Sequence, residues 1–299
     1  MNSKILFFCI CLFSPFATAL TVVTTLPEFA EIAREIAPQA RVESLLVGGE
    51  DPHFLDARPA LILKTSKADV VISNGLDLEV GWLPKVLSKA GIADLQPGGR
   101  GFCEAGQGIE VLDKPSGPVD RSMGDVHPAG NPHYTLSPAH LVQAARFIKD
   151  CLVRVDPAQA DAYEKGLASF TARMNALEKS LRETLKPVTG DEARNRLFEY
   201  HRELAYFAKS FDLHVLGSVE EKPGLPPSAA RLSRVAEDLK SRKVRLVLAS
   251  RLHPESQLKK IQDLSGVPFR QTDFMAGKSR SVEDTLRALT QAIVDGTAK

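Results

Sequence analysis

Three histidines and one aspartate in this chain form a donor set suited to a divalent metal ion. His53 ends the turn Gly48-Gly49-Glu50-Asp51-Pro52-His53, and His133 sits in a near copy, Asn131-Pro132-His133-Tyr134. His201 directly follows the apolar run 197–200, and Asp273 directly follows 267–272. Zn²⁺ accepts tetrahedral N/O coordination from imidazole and carboxylate without a d-electron preference, whereas Mg²⁺ and Ca²⁺ ask for more oxygens. A proline before each of the first two histidines fixes φ and biases its predecessor toward extended geometry, which holds a ligand-bearing turn still. Any single histidine is ordinarily a satisfied core or surface residue. The repeated Asx-Pro-His-aromatic motif and the placement after apolar runs argue for the four as a set.

Ligands of open α/β sheets lie beyond the carboxyl ends of the strands, so the elements before these residues matter. Short β-rich runs at 21–26, 42–47 and 69–73 alternate with longer amphipathic segments, including a helix over 76–89, which is the pattern of parallel βα units. Residues 98–132 are rich in Gly, Pro and Asp with little periodicity and read as a long surface loop, followed by a helix from about Pro138. From Pro157 to Lys186 there is no internal proline, and Leu167, Phe170, Met174, Leu177 and Leu181 recur at helical spacing. The spacing predicts one helix about 45 Å long, at 1.5 Å per residue. The βα alternation then resumes, with strands at 196–200, 214–219, 244–250 and 267–272. The expected fold is α/β, with two lobes of mostly parallel sheet joined by one long rigid helix. Its parts are an N-terminal lobe 20–155, a linking helix 156–187 and a C-terminal lobe 188–299. Two donors from each lobe would place the ion in the cleft between them.

Lys4 precedes an apolar run from Ile5 to Phe16, and Ala17-Thr18-Ala19 supplies small residues at the cleavage-determining positions. Residues 1–19 therefore read as a signal peptide cut after Ala19, and the mature chain as exported to the periplasm. Cys9 and Cys11 lack the small preceding residue that lipoprotein processing favours, which makes a lipid anchor the lesser alternative. No later segment has the length of uncharged chain a membrane helix requires, so no stable membrane insertion is expected. Lys and Arg total 38 against 37 Asp and Glu. That balance gives no electrostatic footprint for nucleic acid. Cys103 and Cys151 remain after the leader; they could close a disulfide in an oxidising compartment or stay as two buried thiols.

Beyond these residue-level readings, the chain resembles the cluster A-I solute-binding proteins of zinc and manganese ABC transporters, over nearly its whole mature length. The resemblance is carried by Gly-Gly-Glu-Asp-Pro-His at 48–53, by Ala-Asp-Val-Val-Ile-Ser-Asn-Gly-Leu-Asp-Leu-Glu at 68–79, by Asn-Pro-His-Tyr-Thr-Leu-Ser-Pro at 131–138, and by the His201 segment with Tyr206-Phe207-Ala208. It implies metal-ligand roles for His53, His133, His201 and Asp273 and a membrane ABC permease as partner; a monomer without enzymatic activity is the accompanying expectation. Manganese members often carry Glu in place of the third histidine, so His201 favours Zn²⁺ over Mn²⁺. Many zinc members have a His-rich acidic loop in the first lobe; here that stretch has only His127 among Glu104, Asp113, Asp120 and Asp125. His127 could be a first-contact ligand or replace a core ligand, but a surface or structural role is the expectation. Thr135 and Ser137 depart from the family's Trp and Asp, which leaves the support of His133 open.

The remaining polar candidates have weaker claims. Glu199 and Glu220 are close enough to strand ends to orient a ligand, although solvated carboxylate is their expected state. His140, His214 and His253 fall inside a helix, at a strand start and in a turn, and are left outside the site. Trp82 lies at helical spacing with Leu78 and Val86 and is expected to pack in the core. An exported zinc hydrolase is the rival from another class, but His201-Arg202-Glu203-Leu204 has no histidine four residues on. A host-contact role, with metal serving only to stabilise the fold, is the third reading. Gly277-Lys278-Ser279 and Gly99-Arg100-Gly101 lack the further glycines of phosphate-binding loops.

Overall fold

The computed structural model describes residues 19–119, 123–124, 126–277 and 279–298. The expected leader lies almost wholly outside them. In the N-terminal half the order is β1 (Thr21–Thr24), α1 (Pro27–Ile36), β2 (Arg41–Ser44), α2 (Pro59–Thr65), β3 (Val70–Ser73), α3 (Leu83–Ala90), β4 (Phe102–Glu104) and α4 (Pro138–Val155). The long α5 (Ala160–Thr189) follows. The C-terminal half comprises β5 (Leu197–Glu199), α6 (Ala205–Phe211), β6 (Val215–Ser218), α7 (Ala229–Ser241), β7 (Leu246–Ser250), α8 (Glu255–Ser265), β8 (Phe269–Thr272) and α9 (Val282–Thr297).

Each half is built on a four-stranded, all-parallel sheet, in the order β2-β1-β3-β4 in one and β6-β5-β7-β8 in the other. Both sheets therefore open at a strand order reversal, where parallel α/β sheets place their ligands. The central strands read as continuous apolar runs because helices cover both faces: β3 and β7 are buried at every position. Among the described residues, no helix is long and apolar enough to cross a membrane.

Helix α5 buries Tyr163, Leu167, Phe170, Met174, Leu177, Leu181, Leu185 and Val188, a single stripe at three- and four-residue spacing. It packs against α1 and α4 on one side and α9 on the other. It starts three residues later than the spacing predicts, after a short 3₁₀ turn at Pro157–Gln159, and it continues through Pro187 instead of ending before it. Proline in the last turn removes one intrahelical hydrogen bond, and the Gly190 N–H closes the end on the Lys186 carbonyl at 3.0 Å.

The stretch 98–132, read from sequence as loop, contains β4, which pairs with β3 and carries Cys103. Cys103 is joined to Cys151 of α4, with the Cα atoms 6.0 Å apart. Closing a 48-residue separation in this way removes loop entropy worth about 4 kcal/mol from the unfolded chain. The helix expected over 76–89 begins only at Leu83. Leu76 and Asp77 before it are left-handed, at φ 53° and 63°, which no helix can contain.

Candidate metal centre

His53 and His133 are set by the same local device. The Asp51 Oδ1 accepts the His53 backbone N–H at 2.9 Å, and the Asn131 Oδ1 accepts the His133 backbone N–H at 2.9 Å. These are Asx turns across a proline, in which the side chain two residues back does what a backbone carbonyl would do. Longer-range bonds then fix each turn. The Trp82 indole N–H donates to the Pro52 carbonyl at 2.9 Å, so this buried residue packs as expected and also anchors the His53 turn. The Asn74 amide donates to the Pro132 carbonyl at 3.1 Å. The Glu79 carboxylate, buried, accepts from Thr25 Oγ1, Asn74 N and Gly75 N. It holds the turn that presents Asn74, which gives the 68–79 motif a scaffolding role.

The structure draws a third N-terminal imidazole into this place. The ligand atoms of His53, His127 and His133 all lie within 4.8 Å of one another. The Nε2 atoms of all three are buried without a hydrogen-bond partner. Buried polar atoms are nearly always satisfied; three unsatisfied lone-pair donors facing a common point fit a cation. His53 keeps its other nitrogen on Asp51 Oδ1 at 2.9 Å, the carboxylate–histidine pairing that fixes a ligand's tautomer. The surface placement expected for His127 is corrected: its Nε2 is buried and its ring stacks on His53 with centroids 5.3 Å apart. Its position depends on the fold of residues 75–77, which no local pattern announces.

His201, at the end of β5, approaches from the C-terminal half, with its ring centre 5.3 Å from His133 and 5.6 Å from His53. Its Nδ1 meets Glu220 Oε2 at 2.8 Å, and both side chains are buried. Glu220 therefore orients the His201 ring and is not the solvated group expected. Glu199 is also buried; its Oε2 accepts the backbone N–H groups of Glu203 at 3.0 Å and Leu204 at 2.8 Å, which shapes the turn after His201.

Asp273, expected as the fourth donor, is not brought to the imidazoles. Its carboxylate lies 3.3 Å from Arg280 and 3.7 Å from Arg251, in a neighbouring groove of about 490 Å³. Its partners are these two guanidinium groups, and it does not line the cavity that the histidines line. The cavity that His53, His133 and His201 do line, of about 150 Å³, includes Glu203, Glu220 and His253 from the C-terminal half. His253, left outside the site on sequence grounds, stacks on Tyr200 at 4.3 Å and sets its Nε2 3.3 Å from Glu203 Oε2. His140 is structural, as expected: it bonds through Nδ1 to Ser137 Oγ at 2.8 Å and stands edge-on to Tyr206. Ser137 caps α4, and that is its role in this chain.

Electrostatics divide the site by half. Burial pushes the His133 imidazole well below its ordinary range, aided by His201, His53 and His127. Burial also pushes His127 down to about 3, with His53 and His201 adding to it. Both are neutral at physiological pH, the form that binds metal. For His201, burial acts downward but is outweighed by the hydrogen bond to Glu220 and the charges of Glu203, Glu220 and Glu199, so its pKa is raised to about 9.

Similarity to known proteins agrees with this architecture. The chain is 24% identical to the manganese ABC transporter substrate-binding lipoprotein PsaA of Streptococcus pneumoniae, over 84% of this chain and 78% of that protein. It is 25% identical to the iron-binding protein YfeA of Yersinia pestis, over 95% and 86% of the two chains. The structure of FpvC from Pseudomonas aeruginosa in complex with Mn²⁺ has the same fold, with a TM-score of 0.81 at 22% identity, covering 94% of this chain and 99% of that one. Residues 22–296 match the family described as zinc-uptake complex component A, periplasmic, and the chain belongs to that family.

Proposed function

We propose that the chain captures Zn²⁺ outside the cytoplasm, between its two halves, and delivers it to the ABC permease of a metal-uptake system. Members of the family are substrate-binding transport proteins and not enzymes. The observation that carries the zinc reading is the convergence of three buried, unpartnered imidazole Nε2 atoms, with a fourth imidazole 5.3 Å from the nearest of them, centre to centre. Nitrogen-rich, tetrahedral sets suit zinc, whereas manganese favours carboxylate, carbonyl and water oxygens. A manganese receptor of the same type is the second reading, supported by the name of the relative PsaA. Release onto the permease would follow from a small displacement of one half against the other about α5, separating His201 from the N-terminal histidines.

Residues 1–19 are proposed to be removed after Ala19, and the working form is proposed to be a monomer. Elemental analysis of protein purified without added metal, followed by calorimetric titration of the stripped protein, tests the reading. One equivalent of zinc bound more tightly than manganese, with a rise in melting temperature by mass action, is the expected result. Tighter binding of manganese, or no divalent binding, would overturn it.

A further inference from the structure

The loop that carries His127 is tied down where a plain surface loop would not be. The His127 ring hydrogen-bonds to the Asp77 backbone, and the Asp77 Oδ2 accepts the Ala129 N–H at 3.1 Å. Asp77 and its neighbour Leu76 are held left-handed, at φ 63° and 53°, a conformation that residues with a Cβ adopt only when the surrounding structure enforces it. That backbone turns one peptide and one carboxylate toward the same three-residue segment, 127–129. With one edge of the ring occupied by Asp77, the Nε2 edge is left facing His53 and His133, buried and without a partner.

The same loop reaches the other half of the molecule. A Cβ on Gly124 would stand 2.3 Å from the Pro223 carbonyl, so the chain runs hard against the segment that follows Glu220. Asn131, at the loop's end, donates to the Arg202 carbonyl at 3.1 Å, beside His201. His127 is thus delivered from a strap that touches both halves next to the donors each half supplies.

Resting on the zinc reading above, we propose that His127 is the fourth donor to the ion in place of Asp273, giving a site of four imidazoles: His53, His127, His133 and His201. Asp273 serves instead as the shared partner of Arg251 and Arg280 at the seam between the halves. Exchanging a carboxylate for an imidazole removes the hard oxygen from the set, which moves selectivity away from manganese and toward zinc. It also leaves the carboxylate charge one shell out, on Asp51 behind His53 and Glu220 behind His201, where it orients the rings without touching the ion.

The test uses full-length mature protein and zinc as the probe, with affinity read by chelator competition and coordination by X-ray absorption at the zinc edge. Two variants separate ligation from positioning. His127→Ala removes the ring, whereas His127→Asn keeps a side-chain amide that can still donate to Asp77 but offers no Nε2. Both should lose more than about 100-fold in zinc affinity, beyond what loss of a merely orienting partner produces, and outer-shell scattering should fall from four imidazoles to three. Asp273→Asn should keep zinc affinity within about tenfold, the lower bound for loss of an orienting partner, with four imidazoles retained. Wild-type affinity in His127→Asn, or loss of affinity in Asp273→Asn with an oxygen donor replaced, would overturn the assignment while leaving the zinc reading intact. A wild-type protein that binds no zinc would overturn both.

Discussion

The two halves of the cavity prepare their donors in opposite ways. On the N-terminal side, His53, His127 and His133 present buried Nε2 atoms with nothing bonded to them, and burial holds His127 and His133 neutral. On the C-terminal side, His201 is bonded to Glu220 and drawn toward its protonated form by three carboxylates, and Asp273 is occupied by two arginines. The first half is a nest already built for a cation, which must be stabilised by the surrounding Asx turns and the Asp77 tether because unsatisfied buried nitrogens cost free energy. The second half must give something up before it can ligate. In the proposed site, capture and release would then be unequal events: the ion would meet the N-terminal imidazoles first, and engagement of His201 would be coupled to loss of a proton.

The sharpest way to break this contrast is at its preformed half. His133→Ala should abolish measurable zinc binding, a loss beyond about 1,000-fold, since it removes a donor from a set of four and opens the buried nest to water. Chelator competition reads it, and the melting curve of the metal-free variant should stay near that of the metal-free parent. Glu220→Gln should cost less, about 10- to 100-fold, as expected when a ligand keeps its nitrogen but loses its orienting carboxylate. It should also lower the His201 pKa, so that the pH dependence near neutrality flattens.

That dependence has a definite sign. His201, with a pKa raised to about 9, carries a proton at neutral pH that the metal must displace, and His127 and His133, held well below neutral, carry none. Zinc affinity should therefore rise with pH by about tenfold per unit across neutrality and level off near pH 9, with about one proton released per ion. Calorimetry in buffers of different ionisation heat measures the proton count; a count near four would place the N-terminal imidazoles on the same footing as His201. The smallest effect on binding belongs to the disulfide. Reducing Cys103–Cys151 should lower the stability of the metal-free chain by up to about 4 kcal/mol and leave zinc affinity unchanged, because β4 and α4 support the sheet and not the donors.

What sequence made legible follows the range over which each feature is determined. His53 and His133 could be singled out because histidine, proline and Asx pin lie within three residues. The two parallel sheets could be read because apolar runs and amphipathic segments alternate locally. The placement of His127 beside His53 and His133 could not be decided, because its pin is Asp77, fifty residues earlier, acting through a left-handed backbone that no composition announces. Asp273 follows β8 as the apolar run implies, but its partners Arg251 and Arg280 come together with it only in the folded chain. β4 has three residues and no period of its own, and it exists because β3 offers an edge. The burial of Glu199 and Glu220 is not legible locally, because it is settled by the packing of distant elements and not by neighbours in sequence.

The most direct test of the account is anomalous scattering at the zinc edge from crystals of the zinc-loaded protein. One strong peak is expected within about 2.0–2.1 Å of the Nε2 atoms of His53, His127 and His133, with His201 drawn in to complete the shell. A peak coordinated by Asp273 with His127 turned away, or scattered weak peaks at surface carboxylates, would contradict it.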